Sequence, residues 1–194
     1  MFDIIGRAVF APLDVFNKNE EEGRLGASVT TVAAAAVLGS VVAPVVYYLV
    51  NRGRFEISLN IGGMCAGLIV SGLTWLAACA MLWALAKAFH KEVGFKQVAS
   101  AWGLSYIPNL LCVVLYGLLQ IVPGIYIGSN MLAAVFSALF IVLLVWKAIE
   151  YFLLLRFVLD TSVGEFAIVT AVSAVVFAVL ILLGAKAGIR VPMV

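Results

Sequence analysis

The sequence predicts an all-α membrane protein: five transmembrane helices with an N-terminal amphipathic helix lying in the membrane interface. The composition is 65% hydrophobic and 11% charged, against about 25% charged in an average soluble domain, and the mean hydropathy is +1.18. The charges are also clustered, leaving uncharged intervals at 25–51, 57–86, 97–146 and 166–185. A helix needs about 20 residues to cross the hydrocarbon layer, so the first, second and fourth intervals each hold one crossing and the third holds two. Only helices or closed barrels span lipid, and the period-2 alternation of a barrel strand is missing.

The chain divides into an N-terminal segment, 1–24, and a five-helix domain, 25–194. In MFDIIGRAVFAPLDVF, the apolar Phe2, Ile5, Val9, Leu13 and Phe16 recur at helical spacing, with Phe10 beside them, while Asp3, Arg7 and Asp14 share one narrow face. This is the pattern of a helix in the plane of the interface, with those six residues as anchors. Docking on the protein's own surface is the open alternative. Pro12 kinks or splits the helix, because it removes an amide donor and disfavours helix at Ala11. Asp3 and Asp14 interrupt any signal-peptide core. The polar run NKNEEEG links the segment to the first span.

In the second span, Gly63, Gly67 and Ser71 form a small-xxx-small stripe that admits a neighbouring backbone. A helix of the same chain is favoured over a second copy, since five helices offer many internal contacts. Pro123-Gly124 marks the turn between the third and fourth spans. Ser162-Val163-Gly164-Glu165 reads as a capping box opening the fifth.

The fourth span, IVLLVWKAIEYFLLLR, carries Lys147 and Glu150 on one helix face. If its helix starts near Gly124, the span is complete by Trp146 and Lys147 emerges at the interface. If it starts near Met131, the span runs on toward Arg156 and Lys147 lies about 13 Å inside, at ~1.5 Å per residue. The interfacial register is favoured, because it needs no compensating groups. With Ser105, Pro108 and Asn109 in the third span, Lys147 and Glu150 make up a candidate intramembrane polar site.

Catalytic signatures are missing. His90 lies singly in the charged loop AFHKEVGFK, and Cys65, Cys79 and Cys112 sit singly in apolar spans, where they read as small packing residues. There is no HExxH, GxSxG, GxxxxGK[ST] or GxGxxG. The expectation is a protein without catalytic residues, metal or cofactor. A net charge of +2 with no basic run gives no argument for a nucleic-acid partner.

Three landmarks together resemble the Yip domain family, the Ypt/Rab-interacting integral membrane proteins. They are RAVFAPLDVF before the first span; Phe95-Lys96-Gln97-Val98 followed by Pro108 in HKEVGFKQVASAWGLSYIPNLL; and WKAIEYFLLLRFVLDTSVGEFAIVTAVSAVV. The resemblance implies five crossings and a cytoplasmic N-terminus. Eukaryotic members bind Rab GTPases and carry a longer cytosolic N-terminal region. With 24 residues before its first uncharged interval, this chain resembles a short prokaryotic-type member, and no Rab partner is expected.

Two functions remain in contention: a non-enzymatic scaffold that organises or shapes membrane, and a conduit for lipid or a small solute through the polar site. A lipid- or water-filled cavity around Asn109 and Glu150 would favour the conduit, and a tightly packed bundle the scaffold. The expected partners are membrane lipids, with a second copy or another membrane protein as further candidates.

Lysine and arginine set the orientation. Arg7, Lys18, Arg24, Lys87, Lys91, Lys96 and Arg156 fall on one side, and Arg52, Arg54, Lys186 and Arg190 on the other. By the positive-inside rule the N-terminus is cytoplasmic and the C-terminus outside, in a prokaryotic cytoplasmic membrane. A reporter fused before Met1 is expected to read the cytoplasm and one fused after Val194 the outside. Both ends on one side would overturn the five-span count.

Overall fold

A computed structural model describes residues 2–10, 12, 16, 24–51, 59–121 and 130–186, and among these every regular element is helical. Helix α1 is Phe2–Phe10. The five apolar helices are the first span, α2 (Arg24–Asn51); the second, α3 (Ile61–Ala88); the third, Phe95–Leu118; the fourth, Ala133–Val158; and the fifth, Val163–Gly184. The third span is broken into α4 (Phe95–Leu104) and α5 (Ile107–Ile121). The fourth is α6 (Asn130–Leu153) prolonged by a wide turn, Leu154–Val158, and the fifth belongs to α7 (Val163–Lys186). Pro123-Gly124, the expected turn, lies outside the described residues, as does Leu13.

The third span is the hub. In its most apolar stretch 72% of residues are buried in protein, against 28% in the first, second and fourth spans and 11% in the fifth. Helix α4 packs on α2, on α3 and on the end of α6, while α7 leans on α3 and turns most of its surface outward. Outward leucine, valine and isoleucine side chains face lipid, where apolar exposure carries no penalty. Cys65 is among the outward residues, whereas Cys79 is buried and Cys112 half-buried.

Small residues set the closest approaches. On the α3 stripe, Gly67 faces Ser40 of α2: a Cβ there would stand 2.7 Å from the Ser40 hydroxyl oxygen and 2.9 Å from its Cβ. Ser40 belongs to a wide turn, Leu38–Val42, closed by the Ala43 amide on the Leu38 carbonyl. Pro44 accounts for that turn, because it has no amide to donate and its ring would strike the Ser40 carbonyl in a regular helix. Gly63 lies beside the Asn60 side chain, which caps α3 by accepting from the Gly63 amide at 2.9 Å. Between α2 and α4 the approach is closer still. A Cβ on Gly103 would stand 2.5 Å from that of Ser28, whose hydroxyl donates to the Ser100 carbonyl.

One end of the bundle gathers the charged loops. The Lys91 ammonium meets Glu165 at 3.0 Å, tying the loop before α4 to the start of α7. The capping box forms there, with the Ser162 amide donating to Glu165 at 2.7 Å and the Glu165 amide to the Ser162 hydroxyl at 3.4 Å. His90 is exposed and closes α3 at φ 57°, with the Lys91 amide returning to the Ala86 carbonyl at 3.0 Å. This left-handed C-terminal position is one that glycine fills without strain.

The described residues of the N-terminal segment are partly exposed and partly buried. Phe10 is 88% exposed, whereas Ala8 is buried in a cluster with Ala27, Leu104 and Ile107, against which Val9 and Trp146 pack. Phe16 departs from the expectation. It is fully buried in the main core with Val93, Val98 and Val158, because apolar residues around the start of α4 and in the turn after α6 give its ring a core-facing place. The backbone of Phe2 and Ile5 lies in α1.

Gly67→Ala is expected to lower the unfolding free energy by about 1–3 kcal/mol, as overpacking does in a close contact. His90→Gly is expected to raise it by up to about 1 kcal/mol by relieving the left-handed backbone. Reversible unfolding in mixed micelles, followed by circular dichroism, measures both; a stabilised Gly67→Ala variant would show that the approach to Ser40 is loose.

Candidate functional site

Pro108 creates the site. It offers no amide to the Leu104 carbonyl and disfavours helix at Ile107, so α4 stops at Leu104 and α5 restarts at Ile107. The Tyr106 amide turns back to the Gly103 carbonyl at 3.2 Å. The Trp102 carbonyl, deprived of that amide, accepts from the Ser105 hydroxyl at 2.8 Å. Main-chain oxygens are thus concentrated at the C-terminal end of α4, where the helix dipole is also negative.

Lys147 fills this break. Its Nζ donates to the Ser105 carbonyl at 2.8 Å and to the Ser105 hydroxyl oxygen at 3.0 Å. The same ammonium stands 4.4 Å from the ring centroid of Trp102 and 4.8 Å from that of Tyr106. Two oxygens and two π faces replace the hydration shell of the cation, and a desolvated cation–π contact is worth about 2 kcal/mol.

The rings are themselves fixed. Trp102 and Tyr106 are both almost wholly buried. Trp102 stacks on Phe177 at 5.3 Å and 16°, and meets Tyr106 and Tyr151 edge-on at 6.2 Å each. The third, fourth and fifth spans therefore converge on one ammonium group. Residue types and spacing gave no notice of this box: Trp102, Tyr106, Tyr151 and Phe177 read as ordinary apolar filling until the helices are placed side by side.

The structure selects the deeper register for the fourth span. Helix α6 starts at Asn130 and its turn runs to Val158, so Lys147 sits nine residues inside Arg156, about 13 Å at ~1.5 Å per residue. Ser105 lies a similar distance, about 15 Å, from the start of α4. Both therefore lie within their spans and not at the ends. The interfacial register, preferred because it needed no compensating groups, gives way because those groups exist.

Lys147 and Glu150 share a buried region, but no ion pair forms between them. Glu150 is fully buried, and neither carboxyl oxygen has a hydrogen-bond partner. Asn109 is buried on α5, just past the break. Of the four sequence-identified polar residues, Lys147 and Ser105 are in direct contact, and Glu150 lies one helical turn along α6 from Lys147. Among the described residues, no three of histidine, cysteine, aspartate and glutamate converge as a metal site would require.

The model of the Yip1 domain matches residues 7–185 of this chain. The chain belongs to the Yip1 domain family. No curated protein and no solved structure matches it. The Yip1 match extends over all five spans, so the Lys147 site lies inside the Yip1 domain itself.

Removing the cation should be the severest change. Lys147→Met is expected to destabilise this Yip1 domain by about 3–5 kcal/mol, from about 1–3 kcal/mol for the orphaned Ser105 carbonyl and about 2 kcal/mol for the lost cation–π contacts. Ser105→Ala is expected to cost about 1–3 kcal/mol by orphaning the Trp102 carbonyl. Glu150→Leu should be neutral or stabilising, because its carboxyl has no hydrogen bond to lose. Unfolding measurements on the three variants decide; a Glu150→Leu loss as large as that of Lys147→Met would mean that the two charges act as a pair.

Proposed function

We propose that this Yip1-domain protein is a non-enzymatic organiser of membrane, oriented with its N-terminus in the cytoplasm and its C-terminus outside, in a prokaryotic cytoplasmic membrane. The carrying observation is that the intramembrane cation is spent on packing. Among the described residues, the contacts that hold the Lys147 ammonium come from Ser105, Trp102 and Tyr106, and these join the fourth span to the third, with Phe177 of the fifth stacked on Trp102. A cavity of about 370 Å3 does occur, but at the charged end of the bundle, lined by residues such as Arg24, Lys96 and Val158; neither Asn109 nor Glu150 lines it. The N-terminal segment supports the same reading. It lays the exposed Phe10 outside the bundle while Val9 and Phe16 dock on it, so a membrane-inserting side chain is held rigidly against the spans.

A second reading, a conduit, draws on the broken third span and on the unpartnered Glu150 carboxyl, since interrupted helices and buried carboxylates recur at transport sites.

Reconstitution separates the two. At increasing protein-to-lipid ratio, the scaffold reading expects vesicles to change diameter or to tubulate, seen by electron cryo-microscopy, with no acceleration of dye release or of lipid exchange between leaflets. Phe10→Asp should abolish the shape change while leaving the fold intact, because it places a charge on the membrane-facing side of α1. Fast lipid exchange or dye release lost in Glu150→Gln, with vesicle shape unaltered, would replace the scaffold by the conduit.

A further inference from the structure

The cavity at the charged end lies where α2 begins, where the loop from α3 enters α4, and where the wide turn of α6 ends. It lies toward the start of α4, at the other end of that helix from the break after Leu104. Its volume of about 370 Å3 is within the ~300–1,000 Å3 range of small-molecule sites.

Its wall carries charges of both signs on separate elements. Arg24, at the first turn of α2, is 7% exposed, so its guanidinium belongs to the interior wall. Lys96 comes from the first turn of α4 and Glu92 from the loop before it, and both line the same space. Although Glu92 and Lys96 are close in sequence and border one cavity, no ion pair joins them.

The start of α4 adds two donors. Gly94 has no side chain with which to cap the helix, and the Gln97 side-chain oxygen is occupied by the Gly94 amide at 2.9 Å. The Gln97 and Val98 amides return to the Gly94 carbonyl, which leaves those of Phe95 and Lys96 without an acceptor among the described residues. Phe16, Val93 and Val158 complete the wall with apolar surface.

We propose that this cavity binds the phosphoethanolamine group of a membrane lipid, with the phosphate between Arg24 and Lys96 and the primary ammonium at Glu92. A phosphate takes charge-assisted hydrogen bonds from the guanidinium and the lysine, and the open amides of the first α4 turn favour the same anion. The ammonium supplies the positive charge and the N–H donors that the Glu92 carboxylate accepts. A purely anionic headgroup would leave Glu92 facing like charge, and a trimethylated one would offer it no donor. Phe16 and Val158 provide the apolar contact that the glycerol and the first acyl methylenes need. The site stands on the cavity and its charges, and holds whether or not the protein organises membrane.

Purified full-length protein in detergent is titrated with dioleoyl phosphatidylethanolamine, phosphatidylcholine and phosphatidylglycerol, and binding is read by native mass spectrometry. The ethanolamine lipid is expected to bind about tenfold more tightly than either of the others, the scale of one charge-assisted hydrogen bond. Lys96→Gln should weaken it several-fold. Glu92→Gln should bring it down to the phosphatidylcholine level while leaving phosphatidylcholine unchanged. Both residues are exposed, so the variants should fold, and their lipid-free melting curves check this. Soluble phosphoethanolamine distinguishes the source: full competition at millimolar concentration would overturn the lipid as ligand in favour of a soluble phosphate ester, and failure to compete supports the lipid. Equal affinity of the wild-type protein for all three lipids, or unchanged selectivity in both variants, would overturn the site.

Discussion

A cation within a membrane span must either be neutralised or be surrounded by groups that replace water, and the arrangement of this bundle follows from how Lys147 meets that condition. Its ammonium is held by the carbonyl and hydroxyl of Ser105 and by the faces of Trp102 and Tyr106. Those groups are available because Pro108 interrupts the third span. The interruption and the cation complete each other: a broken helix exposes carbonyls that lipid cannot satisfy, and a buried lysine lacks the water that would solvate it. Each removes the penalty of the other, and the outcome is a fixed relation between the third and fourth spans.

From this centre the remaining contacts propagate outward. Trp102 is stacked on Phe177, which draws the otherwise lipid-facing fifth span to the hub. Gly103 lets α2 lie against α4 at the same level, and Gly67 does the same for α2 against α3. Without a hydrophobic driving force between helices in lipid, close backbone approach and polar contacts hold such a bundle together. The hub is the least hydropathic of the five spans as well as the most buried. Glu150 is the exception, a buried carboxyl that the packing leaves without a hydrogen bond.

Function divides by depth. The layer around Lys147 joins helices, and the charged end holds a cavity. Arg24, Glu92 and Lys96 border a cavity there, beneath a segment that sends Phe16 inward and Phe10 outward. Groups that could meet a lipid headgroup and groups that could insert between lipids thus share one end of the molecule, braced by the Lys91–Glu165 ion pair.

Charge-free length determined the number of spans, because the cost of burying charge in hydrocarbon dominates every local preference. The same rule misplaced the fourth helix. It took the end of the uncharged interval at Trp146 for the membrane boundary, and the helix continues to carry Lys147 and Glu150 inward. Pro108, Ser105 and Lys147 were each visible in the sequence as unusual residues, and so was the small-residue stripe at Gly67. What the sequence could not contain was their pairing. Ser105 and Lys147 are 42 residues apart, and whether an ammonium is solvated by a carbonyl and two rings, or left in lipid, depends on how two helices are rotated and slid against each other. Phe16 shows the same limit: its spacing fits both an interfacial face and a core-facing one, and only its apolar neighbours in the fold, Val93, Val98 and Val158, draw it inward. Local pattern decides what can enter the membrane; mutual orientation of the helices decides which polar groups find one another.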